Sequence, residues 1–595
     1  MSAKRWFIML ICAALIVTAS IALINICIDP FGVFGDDFMK WYSYDMTNNP
    51  KVAKFSYIDS RRGEYDAFVI GPSGASSLSP ALLEKYTGLR WYNAFNYGAD
   101  MEYTKRLAAY LIENHNPKQI LLCVPIISAS AYGETDTDIA YSQPLKAYWR
   151  MPFYFANPKY SMEKIKNYYG KSYLQQSFDV FNAENGTYNK SRRDAEAIST
   201  LDGYLETYPA FRGISGEVKL EYTDECVAAV AEIKALCESA GTELIVTTCP
   251  MLIEERVGYN YEDVKNFYEK LAEVSDFWDF TISAISRDPR YFYDTTHFRN
   301  SVGEMLVARI FGDDGIYIPD DLGVLVTPEN AATAAWVEPA AESHTKEIPI
   351  ITYHHIAEEG DSSVAVSPSR FEEQMRTLYE EGYSAVSLTE IRDYVVKGAD
   401  LPEKPIIITF DDGYMSNYDY AYPILKQYNF KATIFAIGIS FGKDTYKETG
   451  EPIIPHFGEM EAREMVQSGL ISIQSHTYDM HQTEDYDFPF REGVLRMNGE
   501  SEGDYIAALY EDYARFEELL KTTTGEQLFA ISYPRGLSDE LSSIALHDRG
   551  ISISFSIENG IGTLVKGLPQ SLLGMKRMNV SGQMTGQELI KMIER

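Results

Sequence analysis

The second half of the chain alternates short apolar runs with helical patterns, and this alternation constrains the fold more than any other feature. It is typical of βα units arranged around a parallel sheet. Eight segments are predicted to be strands: IPIITY, YSAVSL, PIIITF, ATIFAI, LISIQ, LFAISY, SISFSI and MKRMNV. Polar groups follow several of them, as HH, DDG, SHT and PRG. In a parallel barrel such ends meet on one face, where active sites are built.

Two adjacent carboxylates end the third of these strands and indicate a cation site. Asp411 and Asp412 directly follow the apolar run 405–410, and neighbouring like charges need compensation, most simply from a cation. His476 and His481 follow another strand, five residues apart, a spacing that suits a loop rather than one helix face. One carboxylate and two imidazoles with an open position form a catalytic Zn²⁺ or similar divalent site. The alternative is that the histidines cap a turn or fill a core.

Only one of the two aspartates is needed as a ligand. The other, held beside the metal but not bound to it, can take a proton from metal-activated water. A nucleophile made in this way hydrolyses an amide or an ester. The residues therefore predict a metal-dependent hydrolase.

The motifs TFDDGY, SHTYDMH and SYPRG resemble, in the same order, those of polysaccharide deacetylases of carbohydrate esterase family 4, the NodB-homology domain. The resemblance implies a distorted (β/α) barrel in which Asp411 is the base. The implied metal ligands are Asp412, His476 and His481. Tyr533 would offer its backbone N–H to an oxyanion, and Arg535 would orient a neighbouring carboxylate. The implied cofactor is a divalent metal, zinc first, with cobalt, nickel or iron as alternatives.

The opening IPIITYHHI and the five-residue histidine spacing are similar to one branch of that family, the poly-β-1,6-N-acetylglucosamine deacetylases of biofilm matrix synthesis. The late LH element that supplies a general acid in the wider family is not clear here. His354 or His355 could replace it, and His354 is the preferred candidate; the alternative is that one of them is a core histidine. Arg577 in KRMNV matches a late strand of the same branch, with a structural role as the alternative.

In the first half of the chain, a predicted strand is followed by a turn that contains a serine, called the serine turn below. YDAFVIGPSGASS runs from a buried-strand pattern into Ser73, and RYFYDTTHF places Asp294 three residues before His297. This arrangement resembles the SGNH hydrolase superfamily, particularly membrane-tethered members that handle O-acetyl groups on exopolysaccharides. The resemblance implies a flavodoxin-like α/β fold with Ser73 as nucleophile, His297 as its base and Asp294 orienting the imidazole. Gly98 in NYGAD would donate to an oxyanion.

The strand QILLCVPIISAS departs from that pattern, because the expected Gly-x-Asn does not follow it. Two alternatives for the first half therefore stay open. One is an ordinary flavodoxin-like domain with a serine in its first turn. The other is a non-catalytic glycan-binding or assembly module for a synthase complex.

The chain begins with an apolar run. Lys4 and Arg5 precede the uncharged residues 6–28, which are long enough to span a bilayer, since roughly 20 residues suffice. The cations should stay in the cytoplasm and place everything after Asp29 outside. A cleaved signal peptide is the alternative. The net charge of −33 argues against nucleic acid or anionic lipid as an electrostatic partner.

These features predict four segments: a cytoplasmic tip and transmembrane anchor (1–30), an SGNH-type α/β domain (31–326), a linker rich in Ala, Pro and Glu (327–347) and a NodB-type barrel (348–595). The predicted protein is a single-pass cell-membrane protein with extracytoplasmic catalytic domains. It would remove N-acetyl groups from N-acetylhexosamine residues of an exopolysaccharide, with a second, serine-dependent O-acetyl esterase or transferase activity. A polysaccharide synthase or export complex is the expected partner, and peptidoglycan is the alternative substrate.

Overall fold

The computed structural model of the chain describes residues 2–30, 50–133, 157–169, 182, 184–187, 190–198, 200–213, 216–341, 344–360 and 362–594. The chain divides into two compact units. The first comprises Met1–Lys190, Tyr208–Asp313 and Ile318–Glu342. The second comprises Ser191–Thr207, Asp314–Tyr317 and Ser343–Arg595.

Helices and strands alternate along both units. The α-helices are α1 (Ala3–Ile28), α2 (Pro50–Ser60), α3 (Pro80–Thr87), α4 (Met101–His115), α5 (Lys159–Tyr169), α6 (Ser191–Asp194), α7 (Leu201–Thr207), α8 (Thr223–Ala240), α9 (Ile253–Arg256), α10 (Tyr261–Val274), α11 (Asn300–Phe311), α12 (Ala331–Ala334), α13 (Pro368–Glu380), α14 (Leu388–Lys397), α15 (Tyr422–Tyr428), α16 (Glu459–Gln467), α17 (Glu502–Thr523), α18 (Glu540–Asp548) and α19 (Gly586–Ile593). The strands are β1 (Ala67–Ile70), β2 (Trp91–Asn93), β3 (Gln119–Cys123), β4 (Glu243–Thr247), β5 (Phe277–Asp279), β6 (Val324–Val326), β7 (Thr345–Ile348), β8 (Ile350–Tyr353), β9 (His355–Ile356), β10 (Ala365–Val366), β11 (Ser384–Ala385), β12 (Pro405–Asp412), β13 (Ala432–Ala436), β14 (Ile471–Ser475), β15 (Ala530–Ser532), β16 (Ile553–Phe555), β17 (Gly562–Val565) and β18 (Met578–Asn579).

The first helix, α1, has 26 residues. At 1.5 Å per residue it is about 39 Å long, compared with about 30 Å for the hydrocarbon core of a bilayer. The Ser2 side chain caps it by accepting the Arg5 N–H, and Asp29 ends it in the left-handed conformation. Among the described residues, α1 is the one helix long and apolar enough to cross a membrane.

The first unit is built on a six-stranded sheet in the order β2-β1-β3-β4-β5-β6. The first five strands are parallel, and β6 pairs antiparallel with β5. The order 2-1-3-4-5 is the flavodoxin-like one, so the predicted α/β class is confirmed. The central strands β1 and β3 are buried along their whole length, which brings their carboxyl ends to the crevice where such sheets bind ligands.

The second unit contains a curled parallel sheet in the order β16-β15-β14-β13-β12-β8-β18, with β11 added beside β12. All eight strands predicted from the sequence occur in it, and the predicted barrel-like fold is confirmed. The two ends of this sheet meet: the Met575 N–H donates to the Ser554 carbonyl at 2.8 Å, and the Arg577 N–H donates to the Glu558 carbonyl at 3.0 Å. The antiparallel pair β7–β17 lies outside this sheet.

Three non-glycine residues just past strands of this sheet, or at a strand's last position, have left-handed backbones. They are Asp412 (φ +72°), Thr477 (φ +71°) and Arg535 (φ +56°). L-residues adopt this conformation rarely and at a cost of about 1–2 kcal/mol each. The sharp turns follow β12, β14 and β15 at the same edge of the sheet, where the predicted site residues lie.

Candidate active sites

The three predicted metal ligands come together at the carboxyl edge of the second unit's sheet. The Nε2 atoms of His476 and His481 lie 3.5 Å and 3.7 Å from Asp412 Oδ1. One ligand atom from each residue lies within 4.8 Å of the other two. Asp412 and His476 are buried, whereas His481 is partly exposed, so the cluster opens on one side. This donor set, one carboxylate and two imidazoles, suits a divalent cation with open positions.

A carbonyl group fixes the orientation of one of these imidazoles. His476 Nδ1 lies 2.7 Å from the Ser532 carbonyl, and because a carbonyl only accepts, Nδ1 must carry the proton. Nε2 is then unprotonated and faces Asp412, as a ligand requires. Burial lowers the pKa of His476, which favours the neutral, metal-binding form.

The backbone of the DDG turn is fixed by close packing. Gly413 has φ +82°, and a Cβ there would lie 2.9 Å from the Ala436 Cβ. A glycine is therefore needed directly after the two carboxylates, because any side chain would displace β13. The Tyr414 hydroxyl hydrogen-bonds to Asp412, and burial together with this carboxylate raises the pKa of Tyr414.

The other aspartate of the pair, Asp411, is held by a buried arginine. Arg577 donates from Nη1 and Nη2 to the two carboxylate oxygens at 2.7 Å and 2.8 Å. The Ser532 hydroxyl donates to Asp411 Oδ2 at 3.1 Å and accepts from Arg577 at 2.9 Å. Burial alone would raise the pKa of Asp411, but Arg577 and the nearby His476 outweigh it and hold that pKa well below its usual range. Asp411 is therefore an ionised carboxylate beside the ligand cluster.

Among the residues that the structure describes, Arg535 makes no hydrogen bond to the carboxylate that it was predicted to orient. Its guanidinium is exposed, donates to the Gln482 carbonyl at 3.2 Å and lies 5.7 Å from the Phe490 ring centre. Arg535 has a left-handed backbone (φ +56°), and the arginine that contacts Asp411 is Arg577. Tyr533 lies directly after β15, and burial raises the pKa of its phenol.

The two candidate general acids have different surroundings. His354 lines a cavity of about 380 Å³ together with Asp411, Arg577 and Asn579. Its Nδ1 is buried without a hydrogen-bond partner among the described residues. His355 Nδ1 instead hydrogen-bonds to Ser416 Oγ at 2.8 Å. His354 is therefore the histidine that shares a cavity with the proposed base.

The sequence analysis does not predict that Ser532 and Arg577 contact Asp411. Both residues lie in motifs identified from the sequence, SYPRG and KRMNV. A serine one position before the predicted oxyanion donor and an arginine just before the last strand were the available signals. Their contact spans 45 residues of sequence and depends on the two ends of the sheet meeting.

The first unit contains an assembled serine–histidine–aspartate arrangement. Ser73 begins a 3₁₀ turn, Ser73–Ser77, shortly after β1, and its Oγ lies 2.7 Å from His297 Nε2. His297 Nδ1 lies 2.7 Å and 2.9 Å from the two oxygens of Asp294. The sequence had named these three residues from segments more than 200 positions apart, and the structure brings them into hydrogen-bond contact.

Local features position each member of this triad. Gly71 (φ +141°) allows the chain to pass beside β3, because a Cβ there would lie 2.7 Å from the Cys123 carbonyl oxygen. Asp294 Oδ1 also accepts the backbone N–H groups of Thr296 and His297 at 2.9 Å. Burial acts to raise the pKa of Asp294, but the bond to His297 outweighs it, and the pKa falls to about 2.

Gly98 lies in an exposed turn after β2 with φ +61°. The loop that contains it is attached to the serine turn, because the Asn96 N–H donates to the Gly71 carbonyl at 3.1 Å. Gly98 therefore belongs to the same sheet edge as Ser73, and its predicted oxyanion role stays a prediction.

Comparison with known proteins identifies relatives of the second unit. A family model described as polysaccharide deacetylase matches residues 398–553. YxkH of Bacillus subtilis (strain 168), named as a polysaccharide deacetylase, is 31% identical over 276 residues, which cover 46% of this chain and 85% of YxkH. The solved structure of IcaB from Ammonifex degensii matches 42% of this chain and 97% of its own, with 25% identity and a TM-score of 0.34.

Two further relatives are named poly-β-1,6-N-acetyl-D-glucosamine N-deacetylase. The protein of Escherichia coli (strain K12) is 26% identical over 237 residues, which cover 36% of this chain and 34% of that protein. The protein of Staphylococcus aureus (strain MRSA252) is 28% identical over 194 residues, which cover 33% of this chain and 61% of that protein. The chain thus spans about a third of the first and less than two thirds of the second.

Proposed function

The chain belongs to the polysaccharide deacetylase family, and from that premise we propose that its second unit hydrolyses N-acetyl groups on N-acetylhexosamine residues of an exopolysaccharide. The observation that carries the proposal is an ionised, arginine-held carboxylate, Asp411, directly beside a cluster of three metal-binding side chains. The substrate is poly-β-1,6-N-acetylglucosamine or a similar polymer, as the names of two relatives suggest.

Asp412, His476 and His481 would hold the divalent cation, with zinc as the first choice and cobalt, nickel or iron as alternatives. When bound, the cation supplies Lewis acidity, which lowers the pKa of a water ligand and polarises an acetyl carbonyl. Elemental analysis of the purified protein, before and after Asp412→Ala, tests this assignment. One equivalent of metal that the substitution removes supports it, and equal metal content in both forms would contradict it.

The residues around the cluster move the protons. Asp411 accepts a proton from the attacking water, since Arg577 keeps it ionised and aligned. His354, in the same cavity, donates a proton to the amine nitrogen as the carbon–nitrogen bond breaks and acetate leaves. The Tyr533 backbone N–H would donate to the oxygen of the tetrahedral intermediate.

Acetate release from β-1,6-linked N-acetylglucosamine oligomers by the full-length protein in detergent tests this activity. We expect release that requires a divalent cation and that Asp411→Asn reduces about 10²–10⁴-fold. Asp419→Asn, at an exposed aspartate nearby, is the matched control and should be neutral. Release from peptidoglycan fragments alone would identify the alternative substrate, and full activity of Asp411→Asn would refute the assigned base.

We propose a second activity for the first unit, hydrolysis or transfer of O-acetyl groups. The observation that favours it is the 2.7 Å contact between Ser73 Oγ and His297 Nε2, with Asp294 on the opposite ring nitrogen. Ser73 Oγ would attack an ester carbonyl while His297 takes its proton and passes it to the departing alcohol. Water, or a hydroxyl of a second sugar, would then accept the acetyl group from Ser73.

Hydrolysis of an activated acetyl ester by the full-length protein tests this second proposal. Ser73→Ala should abolish the activity and Asp294→Asn should lower it about 10²–10⁴-fold. The exposed Ser239, substituted by alanine, is the matched control. Undetectable hydrolysis, combined with glycan retention that Ser73→Ala leaves unchanged, would favour a non-catalytic glycan-binding module instead.

We also propose that α1 anchors both units outside the cytoplasm in the cell membrane. Its length and composition support this, together with Lys4 and Arg5 at its start. Alkaline extraction of membranes and exposure of intact cells to a protease test the placement. Release of the protein by alkali, or a mass showing that the first residues have been removed, would indicate a cleaved signal peptide.

A further inference from the structure

Helix α5 is attached by hydrogen bonds to the last turn of α1. The Asn25 side chain donates to the Asn157 carbonyl at 3.1 Å and accepts from the Ser161 hydroxyl at 2.7 Å. Lys164 Nζ donates to the Ile28 carbonyl at 2.8 Å and to the Asp29 carbonyl at 3.0 Å. Lys164 therefore satisfies backbone acceptors that the end of a helix leaves without intrahelical partners. These contacts, three of them buried, fix α5 at the level where α1 ends.

The length of α1 sets that level relative to a bilayer. Trp6 is the first aromatic residue of α1 and follows Lys4 and Arg5, a combination typical of the inner interface. Asn25 comes 19 residues later on the same helix, which corresponds to a distance of about 29 Å. This distance equals the thickness of the hydrocarbon core, about 30 Å. The contacts of Asn25 and Ile28 with α5 then lie at the outer interface.

A second face of α5, separate from Ser161 and Lys164, which contact α1, has the side chains that suit this depth. Met162, Lys166 and Tyr169 follow each other at i, i+4 and i+7 and share one helix face. Met162 is 65% exposed and Tyr169 is 77% exposed. A long apolar side chain, a lysine and a tyrosine on one face are the composition of interfacial helices.

The charge of α5 is opposite to that of the whole protein. Its sequence, KYSMEKIKNYY, contains three lysines and one glutamate, whereas the chain has a net charge of −33. The overall charge argues against contact with anionic lipid, but the local charge of α5 favours it, because electrostatic attraction to a membrane acts within about a Debye length.

We propose that α5 lies in the headgroup layer of the outer leaflet and binds anionic phospholipids. Met162 and Tyr169 reach the boundary between headgroups and acyl chains, and Lys166 pairs with lipid phosphate. The first unit is then held to the membrane surface at two elements, α1 and α5. This inference rests on the proposed membrane anchoring by α1.

A lipid-quenching experiment on the full-length protein tests this contact. An environment-sensitive fluorophore is attached at Met162→Cys after replacing Cys12 and Cys27 with serine, since the other four cysteines are buried. The protein is reconstituted into vesicles of phosphatidylcholine and phosphatidylglycerol that contain a headgroup spin-labelled lipid. Met460→Cys, at another exposed methionine (79%), is the matched control. Flotation of the vesicles after an alkaline wash reports insertion of α1 separately.

We expect the probe at position 162 to be quenched several-fold more strongly than the probe at position 460. Lys166→Glu, or vesicles of phosphatidylcholine alone, should reduce this difference. Equal quenching at the two positions in protein that floats with the vesicles would overturn the inference and leave the anchoring intact. Protein that does not float would refute the anchoring, and the inference with it.

Discussion

Arg577→Met should abolish most of the deacetylase activity, because it leaves Asp411 as a buried and unpaired carboxylate. The side chains of Arg577 and Asp411 are 3% and 6% exposed and share two charge-assisted hydrogen bonds. Removing one partner of such a pair costs about 3–5 kcal/mol. If about 3 kcal/mol of this cost is lost from the stabilisation of the transition state, because Asp411 is no longer aligned, kcat falls about 10²-fold. Arg577→Lys keeps the charge and loses one of the two bonds, so we expect about a tenfold loss.

Acetate release at saturating oligomer concentration measures these effects, with the metal content of each variant determined in parallel. Arg535→Met is the matched control, because Arg535 was expected to orient a carboxylate and contacts the Gln482 carbonyl instead. Its kcat should stay within about twofold of the wild type, since surface substitutions rarely cost more than about 0.5 kcal/mol. A large loss in Arg535→Met together with normal activity in Arg577→Met would refute the reasoning.

Three further predictions follow from the same contacts. Ser532→Ala removes the hydroxyl between Asp411 and Arg577, so kcat should fall about tenfold. It keeps the backbone carbonyl that orients His476, so the metal content should stay unchanged, and loss of the metal would contradict this prediction. Asp512 accepts the N–H groups of residues 478 and 479 at 2.8 Å and 2.7 Å, and burial raises its pKa to about 6. Because this lies above the unfolded value of about 3.9, its contribution to stability is complete below about pH 4 and is lost as pH rises through 6. Asp512→Asn should therefore flatten the decline of the melting temperature between about pH 4 and pH 6. An unchanged slope would contradict the assignment of this pH dependence to Asp512. A chelator should stop acetate release from the amide substrate and leave ester hydrolysis by the first unit intact; loss of both activities would contradict two independent sites.

Much of the fold was predictable because the strands of both sheets can be recognised from short stretches of sequence. The apolar runs that became β8, β12, β13 and β14 are short, fully or largely buried and separated by helical patterns, as parallel strands must be. Other features depend on tertiary contacts that no local pattern indicates. The residues Ser191–Thr207 cluster with the second unit although they lie within the first half of the sequence, and the β7–β17 pairing joins segments more than 200 residues apart.

The residues of the candidate sites also divide into those that local sequence predicts and those that depend on tertiary contacts. Side chains at the carboxyl ends of strands were predictable, because parallel strands bring these ends to one edge of the sheet. This holds regardless of how the connecting helices pack. His476 and Asp412 are of this kind. Arg577 reaches Asp411 from 166 positions away, because β18 pairs with β8 and β8 pairs with β12, and no local pattern indicates this strand order. The sequence favours His354 over His355 without showing how their surroundings differ. His354 lies between β8 and β9 and lines the cavity with Asp411, whereas His355 begins β9 and hydrogen-bonds to Ser416.

The left-handed residues beyond β14 and β15 have a consequence for laboratory evolution. Glycine adopts positive φ without the cost of a Cβ but loses more backbone entropy on folding, so Thr477→Gly and Arg535→Gly relieve local strain with little net change in the free energy of unfolding. Thr477 also accepts the Met480 N–H at 3.2 Å, in the loop that leads to His481, and glycine would lose that bond. A mutant library selected for catalysis should therefore keep threonine at position 477, because its hydrogen bond orders the loop that leads to His481.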